Sequence, residues 1–198
     1  MYYQGPFIPA RYADPLHALA PVGVESSVTD LAGVNVHTQA NRGGAACTKG
    51  LSRAILPISL KRYSLTALRK VIDIYAGLPI EYRNAIMFLE SFATNCVSEI
   101  DSGDSAYPDR EGKLLLAPLI NYAANASLDA GAWKIGTEIR DLLVQASGEK
   151  LRAYVNYARG DESMKDIYGH EPWRLEKLRR LKKEFDPHGR FNFYAPIS

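Results

Sequence analysis

Three short stretches carry side chains whose types and spacing could do chemistry. Near the C-terminus Tyr154, Asn156 and Tyr157 fall within four residues. A phenol can give or take a proton when a neighbour stabilises the form it leaves behind, and an asparagine amide can orient it. Side chains of these types can equally line a cleft without moving a proton. Upstream, Tyr107 and Arg110 lie three residues apart. A planar guanidinium can hold a carboxylate or enolate oxygen through two parallel hydrogen bonds. The alternative for Arg110 is a surface ion pair with Asp109 or Glu111. Glu90 alternates with Phe88 and Phe92, so an extended chain places all three on one side. A carboxylate among aromatic rings is desolvated, which raises its pKa and suits it to general acid or base work. On a solvated face it would have no such role. Tyr122, at the end of an apolar run, is read with Phe88 and Phe92 as a ligand contact.

The elements that must position these groups follow from periodicity. Ala54 to Leu60 reads as a strand, with Pro57 tolerated only at an edge or bulge. Ser64 caps a helix whose Leu65, Leu68, Val71, Ile72 and Tyr75 share a face, ended by Gly77 and Pro79. Ile86 to Val97 reads as a long strand, Asp101 to Gly112 as a polar turn, and Leu114 to Tyr122 as the returning hairpin partner. A second helix opens at Ser127 or Asp129 and stops at Gly148. Leu151 to Tyr157 reads as a further strand. Strand–helix–strand repeated twice predicts an α+β, ferredoxin-like arrangement: a four-stranded antiparallel sheet with two helices on one face. After a polar loop, Pro172 begins a last helix with Leu175, Leu178, Leu181 and Phe185 as its apolar stripe, and Asp186-Pro187-His188-Gly189 ends it. Met1 to Gln4 reads as an edge strand, a short helix follows Asp14, and residues 31–50 read as a loop.

Composition bounds the function classes. The 198 residues, with 46% hydrophobic and 23% charged side chains, suffice for one domain with a sizeable core. The expected division is a substrate-binding-like region over 1–150 with a C-terminal element over 151–198 packed on it. A net charge of +2 argues against an obligate polyanion partner, and the basic residues of the last helix read as a solvated face, so no nucleic acid is expected. Twelve tyrosines beside six phenylalanines suit a pocket for a polar aromatic ligand, although tyrosine at a core boundary explains many of them. Cys47 and Cys96 are too few for a disulfide framework and read as two buried thiols. No His or Cys pair has ligand spacing, so no metal is expected. There is no apolar run of eighteen residues and no basic-then-apolar leader, which predicts a soluble, cytoplasmic protein away from membranes. Arg42-Gly43-Gly44 meets neither nucleotide-loop spacing.

The order of motifs in the last forty-eight residues resembles the C-terminal element of the berberine-bridge-enzyme-like, FAD-linked oxidases. It runs Tyr154-x-Asn156-Tyr157, Tyr168-Gly169, Arg174-Leu175, Leu181-Lys182, Asp186-Pro187 and Phe191. Ser105-Ala106-Tyr107-Pro108-Asp109-Arg110 is similar to a second family segment. The resemblance implies a substrate half with the antiparallel sheet described above, Tyr157 as base on a substrate hydroxyl with Tyr154 as a second proton-transfer group and Asn156 as a substrate contact, and an N-terminal FAD-binding domain that nothing in this sequence resembles. It implies a small-molecule substrate, of secondary metabolism. Without a flavin half, the expectation is cofactor-free cyclisation, including pericyclic chemistry, or isomerisation by a protein that folds and polarises its substrate. Two alternatives stand beside it. One is an FAD-dependent oxidoreductase fragment or split subunit whose FAD comes from another chain. The other is a non-catalytic binding module, its exposed sheet face covered in a homodimer.

Overall fold

Two prolines one register step apart, Pro57 and Pro118, interrupt the first ladder of the sheet. The computed structural model describes residues 1–112 and 114–198, and in it the chain divides into two units, Met1–Lys49 and Gly50–Ser198. In the second unit β1 (Leu51–Ile55) and β2 (Ile58–Leu60) are separated by Leu56 and Pro57. Both pair antiparallel with β4 (Leu114–Ala123), and the register runs on unshifted from Ile55↔Leu119 to Ile58↔Leu116. The two strands are therefore one extended run whose ladder is interrupted where Pro57 and Pro118 can donate nothing. Leu56 N–H still donates to the Pro118 carbonyl at 3.2 Å. β3 (Ile86–Ser91) pairs antiparallel with the other side of β4, from Ile86↔Leu119 to Ser91↔Leu114. The result is an α+β fold with a four-strand antiparallel sheet and β4 at its centre.

Helices cover one face. α3 (Leu65–Ala76) starts where the Ser64 hydroxyl accepts the Ala67 N–H, and α5 (Asp129–Ser147) ends on Gly148 in the left-handed region. Their apolar stripes meet the sheet through Ala67, Val71, Ile139 and Leu143 against Ile58, Leu60, Leu114 and Leu116. A second cluster joins Ala54, Leu56, Ile120, Tyr122 and Ala132 to Leu78 and Tyr82. Inside the helix Gly136 is required by close approach: a Cβ there would lie 2.2 Å from the Leu56 side chain. The other face of β4, carrying Leu115, Ala117 and Leu119, is the one Glu90, Phe88 and Ser59 share by register.

Several expectations are corrected. The strand proposed over Leu151–Tyr157 is not in the sheet. Its contact with the β2 edge is the Ser59 N–H donated to the Arg152 carbonyl at 2.8 Å, after which the chain turns, with Tyr157 N–H on the Tyr154 carbonyl at 2.9 Å. Four residues are too few for alternation to distinguish a strand from a turn. The turn places Tyr154 and Tyr157 on the same side, ring centroids 5.4 Å apart. The strand proposed over Ile86–Val97 ends at Ser91, which pairs with Leu114 of β4. The chain continues into the single turn α4 (Asn95–Ser98). Cys47 and Cys96 are free but exposed rather than buried. In the first unit, Met1–Gln4 is not a strand. α1 (Ala10–His17) begins before Asp14, and the stretch read as loop holds α2 (Val34–His37) and a 3-10 turn at Ala45–Cys47.

The C-terminal segment adds α6 (Met164–Tyr168) and α7 (Pro172–Phe185). α6 opens with a reciprocal capping box between Ser163 and Asp166, and Pro172 occupies the first turn of α7. Between them Gly169 has φ 100° and ψ 153°, a conformation almost confined to glycine. Asp186 ends α7 by accepting the Arg190 N–H at 2.7 Å and the Phe191 N–H at 3.0 Å, with the Lys182 ammonium on the same carboxylate.

Candidate functional site

Across the bare face of the sheet, Ser59, Leu115 and Glu90 form one row on β2, β4 and β3. They floor a cleft of about 320 Å³, at the small end of the range for ligand pockets. One wall is Phe92 and Thr94, just beyond β3. A second is the Tyr107–Gly112 loop, and a third is the turn bearing Tyr154 and Tyr157. Five of the candidate residues thus converge: Glu90, Phe92, Tyr107, Tyr154 and Tyr157.

The Tyr157 hydroxyl donates to Glu90 Oε1 at 3.0 Å. Burial pushes the Tyr157 phenol above its ordinary pKa, and the hydrogen bond to Glu90 and its charge add to the rise. Tyr157 is therefore a phenol at neutral pH, not a phenolate base. Its oxygen still has lone pairs. A ligand hydroxyl donating to that oxygen is two hydrogen bonds from Glu90, so a proton can pass through Tyr157 to the carboxylate. Asn156 Nδ2 donates to the Tyr154 hydroxyl oxygen at 2.7 Å, leaving the Tyr154 proton free to point into the cleft. Asn156 thus acts behind Tyr154 rather than on the cleft wall.

Opposite Glu90 stands a second carboxylate, Asp109, which the sequence suggested only as an ion-pair partner. It accepts from the Ser59 hydroxyl, and burial raises its pKa against the opposing pull of Arg152. Tyr107 is raised by burial and then by the Asp109 charge. Arg110 does not line the cleft. Its Nη2 donates to Ser105 Oγ at 2.6 Å and its guanidinium lies 5.5 Å from the Tyr107 ring centre, so it buttresses Tyr107. Glu111 pairs instead with Lys61. Phe88 shares the face of Glu90 but sits over Ala117, outside the cleft lining. Tyr122 is placed elsewhere altogether: 5% exposed, in the core with Tyr82 and donating to Asp129 at 3.0 Å. Ser59, Thr94, Asp109 and Leu115 were not singled out from the sequence, because only strand register brings Ser59 and Leu115 beside Glu90.

Comparison with known proteins agrees with the α+β fold. The family profile described as "Berberine and berberine like" matches residues 153–198. The FAD-linked oxidoreductase anuG of Penicillium roqueforti is 40% identical over 157 residues, spanning 77% of this chain and 31% of the relative. The FAD-linked oxidoreductase chyH of Penicillium rubens is 35% identical over 202 residues, spanning 96% of this chain and 39% of the relative. Through its C-terminal portion the chain belongs to the berberine-bridge-enzyme-like family. Among solved structures of that family, Physcomitrella patens BBE-like 1 superposes with a TM-score of 0.62 at 18% identity, over 74% of this chain and 31% of that one. The berberine bridge enzyme from Eschscholzia californica does so with a TM-score of 0.61 at 14% identity, over 74% and 33%. The chain therefore spans a little over a third at most of the relatives it matches, and an FAD-binding domain is not within its 198 residues.

Of the helix starts in this berberine-bridge-enzyme-like portion, where a diphosphate would seek free N–H groups, α3 and α6 begin under their own Ser64 and Ser163 caps, whereas α5 and α7 begin at Leu128 and Glu171 with no side-chain cap. Among the described residues, no three His, Cys, Asp or Glu side chains converge as a metal site, and no helix is long and apolar enough to cross a membrane.

Proposed function

We propose that this chain is the substrate-binding portion of an FAD-linked oxidoreductase acting on a hydroxylated, aromatic small molecule. The observation that carries the proposal is the Tyr157–Glu90 hydrogen bond at the wall of an aromatic-lined cleft. The ligand ring packs between Tyr107, Phe92 and Tyr154. Its hydroxyl donates to Tyr157, whose own proton moves to Glu90, so that the ligand oxygen gains negative charge as it reacts. The flavin is held by residues outside this chain, in keeping with the names of the relatives. Secondary metabolism is the setting in which such a substrate would arise.

A second reading rests on a separate observation: the proton-handling pair is complete within this chain. Cyclisation or isomerisation that needs only proton transfer and a folded substrate would require no flavin.

One experiment separates the two. The chain is incubated anaerobically with a panel of phenols and benzylic alcohols, alone and co-expressed with the N-terminal portion of the Penicillium rubens relative. Flavin bleaching that requires both polypeptides supports the first reading. Isomeric product from the chain alone supports the second. Neither outcome, with every panel member leaving the Tyr157 ring signals unchanged, removes both.

A further inference from the structure

Arg174 is 1% exposed, the most deeply buried charge among the described residues, and it lies on α7, outside the cleft lining. A guanidinium so buried needs partners, and its two terminal nitrogens have them, while Nε is left with only the Glu171 carboxylate at ion-pair distance. Its Nη1 donates to the carbonyls of Ser102 at 3.2 Å and Ser105 at 3.0 Å, and its Nη2 donates to Ser102 Oγ at 2.6 Å. The loop so held leads directly into Tyr107. A second arginine reaches the same loop further along: Arg152 Nη1 donates to the Pro108 carbonyl at 3.2 Å. Between the two guanidiniums sits one carboxylate. Glu171 Oε1 is 3.5 Å from Arg152 and its Oε2 is 3.6 Å from Arg174.

The glycine before this carboxylate belongs to the same device. A Cβ on Gly169 would lie 2.4 Å from Glu171 Oε2, 3.0 Å from Pro108 Cβ and 3.2 Å from Arg174 Nε. The close approach of helix start and loop therefore depends on a missing side chain. Charge-assisted hydrogen bonds from a planar guanidinium to several loop acceptors fix direction as well as distance.

We propose that Arg152, Glu171 and Arg174 form a clamp that positions the Tyr107–Asp109 wall of the cleft, making all three positioning residues for ligand recognition. This rests on the cleft being the ligand site. The C-terminal segment then shapes the site twice over. It contributes Tyr154 and Tyr157 directly, and it holds the opposite wall at a fixed separation from them. Lysine cannot substitute for Arg174, because one ammonium cannot reach both carbonyls and Ser102 Oγ in the planar geometry of a guanidinium.

The test compares Glu171→Gln and Arg174→Lys in the full chain, with Leu178→Ala as a control that weakens the packing of α7 without touching the clamp. Hydrogen exchange is followed by mass spectrometry over 101–112 and over β4, alongside trypsin cleavage after Arg110. The clamp predicts exchange at least tenfold faster over 101–112, and faster cleavage, in both clamp variants, with β4 protection unchanged. The control should loosen loop and sheet together. Unchanged exchange over 101–112 in both clamp variants overturns the proposal. So does equal loosening of loop and sheet, which would mean these residues only hold the fold. Because the readout needs no ligand, it stands apart from the test of the proposed function. If the cleft is the ligand site as well, 4-hydroxybenzyl alcohol binding weakens in both clamp variants.

Discussion

Replacing Gly169 by alanine should be among the most damaging single-methyl additions in this chain, and the size of the effect can be worked out. The residue has φ 100° and ψ 153°, and holding a side-chain-bearing residue in such a region costs about 1–3 kcal/mol. The new Cβ would also meet Glu171 Oε2 at 2.4 Å and Pro108 Cβ at 3.0 Å. Neither neighbour can move freely, since Glu171 is tied to two arginines and Pro108 to Arg152. Adding an overpacking cost of about 1–3 kcal/mol gives a combined loss of roughly 2–6 kcal/mol. For a chain of this size each kcal/mol moves Tm by about 2–4 °C, so the fall should be roughly 4–24 °C. Gly148→Ala provides the internal standard. That residue has φ 69°, and a Cβ there meets nothing within 4 Å, so only the left-handed penalty of about 1–2 kcal/mol applies. Thermal unfolding by circular dichroism of the two variants side by side decides the matter. Equal losses, or a larger loss for Gly148→Ala, would refute the claim that Gly169 is fixed by close contact as well as by backbone conformation.

Tyr157→Phe keeps the ring and removes the proton path to Glu90. Turnover of a hydroxylated substrate by the complete oxidoreductase should fall by about 10²–10⁴-fold with Tm little changed, measured by steady-state kinetics. Tyr122→Phe should show the reverse pattern. Loss of its hydrogen bond to Asp129 costs about 0.5–1.5 kcal/mol of stability, while ligand affinity in the cleft stays the same. Tyr75 donates to the Ile86 carbonyl at 2.8 Å, and burial pushes its pKa up to about 12. The unfolded chain loses this proton near pH 10 and the folded chain holds it, so the contribution is complete below pH 10 and is lost as pH rises toward 12. Its size is about 1–3 kcal/mol, and Tyr75→Phe should flatten that part of the urea-unfolding curve against pH.

The sequence made the two sheet-covering helices plain. Their caps are local signals: Ser64 and Gly77 bracket one, and Gly148 ends the other in the left-handed conformation that glycine adopts readily. Glu90 and Phe88 were also correctly placed on one face, because strand alternation requires only that the segment be extended. What could not be read was anything decided by pairing. β3 ends at Ser91, opposite Leu114, and that pairing is held in another part of the chain. Tyr154 to Tyr157 has strand-like alternation, yet its backbone finds a turn once Arg152 has met Ser59. Asp109 faces the cleft because Ser59 lies fifty residues away in sequence and beside it in space. Tyr122 shows the opposite error, since a tyrosine at a strand end looks the same whether its hydroxyl meets a ligand or Asp129.

The account stands or falls on whether the Glu90–Tyr157 pair faces a ligand. Orthogonal NMR labelling of tyrosine rings, titrated with 4-hydroxybenzyl alcohol, tests this with a probe that carries both a ring and an alcohol and is small enough for the 320 Å³ cleft. The account predicts saturable shifts at Tyr107, Tyr154 and Tyr157, with affinity weakened about tenfold or more in Glu90→Gln, in line with loss of a charged hydrogen bond. Shifts confined to Tyr63, Tyr75 or Tyr194, or an affinity that Glu90→Gln and Tyr157→Phe leave untouched, would contradict it.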